Sequence, residues 1–401
     1  MTRSPFASFF PSLPVSGAYL DSAAKTLTCS AALEAQHLFY REYDCNIERG
    51  IYSRSAMATD LVERARADVA GLLGASQERI SFTSSTTQAL NSIALGLPWR
   101  PGMKVVTTVL EHHSDFLPWL ALRRRGVEVE VLRASGDGFL DPDDMLRACT
   151  GAFLAAFTHA SNVTGSIQDL GALARAASSR GAFVIVDGAQ ALSHSEIDVR
   201  SLPVDAYAFS GHKCFGPTGT GAVFISGRLR EVLEPAIVGG GSASYSTPDG
   251  FATVVEPPSR ALEPGTQNIA GIMGFGAAAA FRLGLDGDLR KSHMDGIAAR
   301  CLEGLCGIEG LELHGPMSMH SRLPVFSFSV DGISPHMLAM RLDQEYGLMT
   351  RSGNHCAPTL WRTLFGRSQG GVRASLHDYN SMADVDLLVS ALERIASDGR
   401  K

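Results

Sequence analysis

Two periods of apolar residues alternate along most of this chain. Short runs of Val, Ile, Phe, Ala and Thr, of the kind that form buried strands, recur at 80–83, 104–109, 128–132, 152–157, 182–187, 204–209 and 221–226. Helical spacing separates them. Leu61, Ala65, Val69, Leu72 and Leu73 mark one buried helix face, with Asp60 as its expected N-cap. A second helix opens near Asp141 and Pro142, and a third covers 168–180. Strand and helix in alternation from 80 to 226 predict a largely parallel sheet covered on both faces. Residues 239–258 lack either period and are rich in Gly, Ser and Pro, so a loop covering the site is expected there. From 269 an Ala-rich helix to 283 leads to helical segments near 288–306, 334–345 and 382–397, separated by the apolar runs 324–330 and 371–376. The pattern therefore divides the chain into an N-terminal segment, 1–18, lying over the surface; a large domain, 19–268; and a small C-terminal domain, 269–401.

Composition narrows the class. A chain of 401 residues with 45% hydrophobic and 19% charged residues is globular and long enough for a core shared between two domains. The net charge of -6 supplies no basic excess to neutralise phosphates, which argues against nucleic acid or an anionic membrane as the main partner. Seven cysteines, an odd number at irregular spacing without a C-x-x-C pair, read as reduced thiols. Prolines break the N-terminal apolar stretch, and no run reaches the roughly 18 apolar residues of a membrane span. A cytoplasmic enzyme is the expectation.

The chemistry lies at the predicted strand ends. Asp187 closes the run 182–187 and is followed by Gly188, Ala189 and Gln190, while Lys213 follows the run 204–209 within Ser210, Gly211, His212. Either residue alone reads equally well as a helix cap or a turn lysine. Together they suit pyridoxal phosphate: the amine forms a Schiff base and the carboxylate holds the pyridine nitrogen protonated. Ser84 to Thr87 place hydroxyls at a predicted helix start, where free N–H groups and the helix dipole can cradle a phosphate.

In these motifs the sequence resembles the class V pyridoxal-phosphate enzymes, and most closely the cysteine desulfurases of the group that includes selenocysteine lyases, from about Tyr19 to the C-terminus. The resemblance implies the aspartate aminotransferase-like fold type I: an α/β protein with a seven-stranded, mostly parallel sheet and a smaller α+β domain. It implies that Thr86, Thr87, His112, Asn162, Asp187, Gln190, Ser210, His212 and Lys213 bind the cofactor. Thr266 would reach the cofactor phosphate of a neighbouring subunit, which implies a homodimer. Arg373 and Asn162, with Arg351 in a secondary place, would hold the substrate carboxylate, and Lys213, His112 and Cys356 would be catalytic; no metal is implied.

The implied reaction removes sulfur from L-cysteine, giving L-alanine and a Cys356 persulfide for an acceptor, often a small carrier protein. Alternatives on the same scaffold are a C–S lyase, a selenocysteine lyase or an epimerase, and, in another class, a catalytically silent scaffold. Three departures from the family pattern stand out: Ser84 where arginine is frequent, Gln267 where proline is usual, and a His355–Pro358 motif one residue shorter than in many relatives.

Overall fold

The computed structural model describes residues 3–253 and 262–398. Seven strands form the main sheet: β1 (Ile80–Thr83), β2 (Lys104–Thr108), β3 (Glu128–Leu132), β4 (Leu154–Thr158), β5 (Phe183–Asp187), β6 (Ala206–Ser210) and β7 (Gly221–Ile225). Their order is β3-β2-β4-β5-β6-β7-β1, and β7 alone runs against the rest. Alternation of side chains along each strand serves two cores. On β5, Ile185 packs with Leu90, Ile93 and Trp119 on one face. Val184 and Val186 pack on the other, with Val62, Val69, Leu173 and Phe275. Both faces are therefore covered by helices, as expected.

A second sheet of β8 (Leu311–His314), β9 (Val325–Val330), β10 (Arg351–Gly353) and β11 (Gly371–Ser375) is antiparallel in the order β8-β9-β11-β10. Helices Gly287–Cys306, Pro335–Tyr346 and Met382–Asp398 share its core. This is the smaller α+β unit.

Packing moves both predicted boundaries. The helix Ile269–Leu283 belongs to the large core, because its small residues let it lie against helix Ser53–Gly71: a Cβ at Gly276 would sit 2.3 Å from that of Ala65. At the other end, Ala18–Tyr19 pairs with Leu348–Met349, and Ala18 and Leu20 join the small sheet's core. The N-terminal segment does not simply lie over the surface either. Phe6 and Phe10 are 3% and 2% exposed, and the Phe10 ring lies 5.1 Å from Phe215 and 4.9 Å from Tyr379. Burying aromatic rings outweighs the chain-ordering cost of a proline-rich tail.

Three local expectations also change. Asp60 is interior to helix Ser53–Gly71, whose N-cap is Tyr52. Within 239–258, Ala243–Thr247 and Gly250–Thr253 form a hairpin, while 254–258 lie outside the described residues. Neither hairpin strand lines the cavity described below. The helices Ser30–Leu38 and Pro358–Phe365, of nine and eight residues, are too short to be read from sequence.

One buried ion pair fixes the approach to helix Ile269–Leu283. Arg66 grips the Glu263 carboxylate through both terminal nitrogens, Nη2 at 2.9 Å from Oε2, and Nη1 also donates to Ile80 O at 3.0 Å. The Phe82 N–H donates to Glu263 Oε1 at 2.6 Å, so the turn is pinned to β1. Removing one partner strands a buried charge. Arg66→Met is expected to lower unfolding free energy by about 3–5 kcal/mol in denaturant titrations. A loss under about 1 kcal/mol, the range of an exposed pair, would overturn this role.

Candidate functional site

Strands β1, β2, β4, β5 and β6 run the same way and end at one edge of the sheet. The residues at or just past those ends, Thr86, His112, Asn162, Asp187 and Lys213, line one cavity of about 300 Å³. Crevices beyond the carboxyl ends of parallel strands are where open α/β sheets bind ligands. The small unit completes the wall with Arg351, His355, Cys356 and Arg373.

Two helices start at this cavity, Thr86–Gly96 and His113–Ala121. Ser85 caps the first by accepting from Gln88 N at 3.2 Å. Ser210 Oγ lies 2.7 Å from Thr86 Oγ1 and accepts the Thr86 N–H at 2.9 Å. Thr87 Oγ1 is 2.6 Å from Ser114 Oγ in the first turn of the second helix. Clustered hydroxyls at the positive ends of two helices make an oxyanion cradle.

Burial sets the charge states in the rest of the cavity. It pushes the Asp187 carboxyl up, against the pull of Lys213 and of the Ala189 N–H, which donates to Oδ1 at 2.9 Å. It pushes the Lys213 amine down, against the pull of Asp187, with Arg373 adding to the depression. His112 is pushed down to about 3, first by burial and then by Lys213, His113 and Arg373. Its Nδ1 accepts the Ser114 N–H at 3.1 Å, so the neutral ring carries its proton on Nε2. His212 is likewise pushed down to about 4 by burial and two lysines. Behind Asp187 lie two further buried carboxyls, Glu111 and Asp115. Burial raises both, mutual repulsion adds to Glu111, and the Asp187 charge adds to Asp115. Glu111 Oε2 and Asp115 Oδ2 have no hydrogen-bond partner, which suits a pair that shares a proton.

On the opposite wall Arg373, 2% exposed, donates from Nη1 to Asn162 O at 3.0 Å and from Nη2 to Asp21 Oδ1 at 3.1 Å. Its Nε has no partner. Arg351 forks onto the same carboxylate, Nε to Oδ2 at 3.0 Å and Nη2 to Oδ2 at 2.8 Å. Cys356 is exposed at the mouth. Both His355 and Cys356 adopt positive φ, 51° and 56°. Asn162 Nδ2 donates to His355 O at 2.8 Å, and the His113 N–H donates to Cys356 O at 2.8 Å, so loops from β2 and β4 hold the cysteine turn.

Most of the residues singled out from sequence thus meet in one place: Thr86, Thr87, His112, Asn162, Asp187, Ser210, His212, Lys213, Arg351, Cys356 and Arg373. Two do not. Gln190 is buried behind the wall and donates from Nε2 to Ala23 O at 2.7 Å, so it supports the lining without joining it. Thr266 lies in a separate groove with Asn46, Arg49 and Gly241. Sequence reasoning missed Asp21 and Ser114. Glu111 and Asp115 carried no signal, since only their burial makes them unusual.

Comparison with known proteins identifies the family of the chain. The family described as Aminotransferase class-V matches residues 18–388. A probable cysteine desulfurase of Methanothermobacter thermautotrophicus is 39% identical over 389 residues, covering 95% of each chain. The apo cysteine desulfurase of Thermococcus onnurineus superposes with a TM-score of 0.93 at 35% identity, covering 99% of both chains. The cysteine desulfurase CsdA of Escherichia coli, in an S-sulfonic acid form, superposes with a TM-score of 0.88 at 34% identity, covering 98% of both chains.

The neutral histidines make acid stability a test of the site. Burial first, then Arg373, pushes His355 down to about 3, whereas an unfolded histidine titrates near 6.5. Between those values the unfolded chain binds the proton and the native chain does not, so stability falls as pH drops. Around pH 5, His355→Gln is expected to flatten the dependence of unfolding free energy on pH by about 1.4 kcal/mol per unit. An unchanged slope would mean that His355 is protonated in the native protein.

Proposed function

Because this chain belongs to the class V aminotransferase family and is a pyridoxal-phosphate-dependent cysteine desulfurase, we propose which of its residues carry each part of that reaction. The observation that carries the proposal is that Cys356 and Lys213 line one cavity of about 300 Å³.

The residues present fit the cofactor. Asp187 offers a buried carboxylate with only Oδ1 committed, to the Ala189 N–H, and a carboxylate so placed holds a pyridine nitrogen. The hydroxyls of Thr86, Thr87 and Ser210 fit a phosphate at a helix start. When bound, pyridoxal phosphate supplies the electron sink that makes the substrate α-proton acidic and the Cβ–S bond breakable.

The protein's part is positioning and proton movement. Arg373, with Nε free, and Asn162 orient the α-carboxylate of L-cysteine, and Arg351 assists from the rim. Lys213 Nζ would hold the cofactor covalently, and its free amine takes the α-proton. Burial lowers its basicity, which favours the neutral amine that this step needs. His112, neutral with its proton on Nε2, can donate toward the ring region without adding a charge.

Cys356 Sγ then attacks the sulfur of the substrate. An S–S bond forms, the Cβ–S bond breaks, and its electron pair stays with the carbon fragment, which is protonated to L-alanine. Sulfur is oxidised and carbon reduced, so no external oxidant is needed. The persulfide on exposed Cys356 is open to an acceptor, for which a small sulfur-carrier protein is our reading. His355 and His112 are both neutral near pH 7, so neither gives the thiol a fixed positive neighbour; Lys213, Arg351 and Arg373 are the cations around it.

Thr266 supports a homodimer. It faces away from its own chain's cavity, in a groove of about 210 Å³ with Asn46–Arg49, and would serve a second copy. A cytoplasmic setting, where thiols stay reduced, belongs to the same reading, as do the seven unpaired cysteines.

Two variants separate the roles. Cys356→Ala is expected to retain the cofactor's visible absorbance and lose at least about 100-fold in alanine formation from L-cysteine, a loss of the size seen when a nucleophile is removed. Undiminished alanine production would sink the sulfur-relay role, and retained activity on selenocysteine alone would point to a lyase. Lys213→Ala is expected to lose borohydride-fixable cofactor altogether; fixation in that variant would refute the anchor.

A further inference from the structure

A second cavity, larger than the catalytic one at about 490 Å³, lies on the far side of the Lys213 turn. It is formed where residues 194–196, after β5, meet the helices Ile269–Leu283 and Gly287–Cys306 and the turn 319–324 before β9. It therefore touches both units, and the desulfurase chemistry gives it no role.

Its buried lining is cationic. Arg290 and Arg322 are buried and Arg282 is partly so, while the acidic residues Glu196 and Asp288 are exposed at the rim. Only Arg290 has a carboxylate partner, Asp378 Oδ2 at 2.7 Å from Nε. Arg322 spends its fork on backbone carbonyls, those of Val325 at 3.0 Å, Pro316 at 2.6 Å and His314 at 3.0 Å. Arg282 makes no hydrogen bond or ion pair among the described residues, and its buried Nε is without a partner. Asp295 is held by Lys291. The buried Asp378 thus answers one guanidinium of the three, and Arg290 also donates from Nη2 to Ser193 O at 2.5 Å.

Burying an uncompensated guanidinium is costly unless something answers its charge. Burial pushes both Arg282 and Arg322 down, the latter to about 10. Arg282 and Arg290 come from separate helices, and Arg282 is the one of the three guanidiniums with no donor committed among the described residues. A planar carboxylate suits one fork, whereas a tetrahedral oxyanion can accept from several sides.

We propose that this junction cavity binds a small phosphate-class oxyanion, with Arg282 as its principal donor and Arg290 and His194 beside it. The volume exceeds what a bare phosphate needs and leaves room for the organic part of a phosphate ester. Occupancy would join the large unit to the small one. The proposal is independent of which amino acid the active site takes.

The test uses the holoenzyme, whose cofactor already fills the catalytic phosphate cradle. Inorganic phosphate and glycerol phosphate are each titrated calorimetrically at constant ionic strength, with the cofactor's visible absorbance followed in parallel. Saturable binding without an absorbance change is expected, weakened roughly tenfold or more in Arg282→Gln, the loss of about one charge-assisted bond. Tighter binding of glycerol phosphate would identify an ester ligand, and equal binding would identify phosphate itself. Should Arg282→Gln fail to fold, Arg282→Lys keeps the charge but removes the fork, and is expected to weaken binding as well. The proposal is overturned by the absence of saturable binding, by an affinity unchanged in the variant, or by binding that bleaches the cofactor.

Discussion

Everything at the catalytic site depends on holding a carboxylate and an amine out of water beside one another. Asp187 ends β5, and Lys213 follows β6, its parallel neighbour, with Asp187 opposite Ala208 in the register. Desolvation pushes both groups toward their neutral forms, and their mutual attraction opposes that push. The balance is what makes each useful. Asp187 has the Ala189 N–H as well as Lys213 on the side of ionisation, whereas Lys213 has Arg373 against it. The carboxylate is thus the better supported charge, and the amine is the group more easily brought to its neutral, reactive form. The backbone enforces this closeness, because a Cβ at Gly188 would meet the Tyr207 ring at 1.9 Å, so the turn after Asp187 has no room for a side chain.

A second charge problem explains the odd path of the chain's first ordered strand. Arg351 on β10 and Arg373 on β11 are directly opposite in the antiparallel register. Like charges so placed repel. Asp21 lies between them and accepts from both, and it comes from a segment that bridges to β11 at Ser375 and pairs with Leu348–Met349. The N-terminal segment therefore belongs with the small unit for an electrostatic reason as well as an apolar one. The result is a prearranged guanidinium pair whose charge Asp21 has already half offset.

How much of this was legible in the sequence follows from what sets each feature. The seven strands of the large sheet appear within two residues of their predicted places, because strands buried on both faces leave continuous apolar runs. Their carboxyl ends located Asp187 and Lys213, and the motifs located the residues from the small unit. Asp60 was misread as a cap because helix Ser53–Gly71 opens with polar residues that hide its start. Helix Ile269–Leu283 joins the large core because glycines at 274 and 276 let it pack closely, which composition does not reveal. Glu111 and Asp115 were unreadable because a carboxyl's significance here comes from burial, which periodicity does not reveal in a turn.

The cysteine turn shows how a departure from pattern can be structural. The short His355–Pro358 motif leaves no spacer, so Pro358 opens a helix two residues after Cys356 and Ala357 is fully buried. Reaching that helix forces two successive non-glycine residues into the left-handed region, at about 1–2 kcal/mol each. Two carbonyl contacts offset this, His355 O with Asn162 Nδ2 and Cys356 O with His113 N. Asn162 therefore does two things at once: its carbonyl orients Arg373 while its amide holds the turn that presents the thiol. The Arg373 guanidinium and the cysteine turn are mechanically one unit in this chain, so a change at either is transmitted to the other through Asn162.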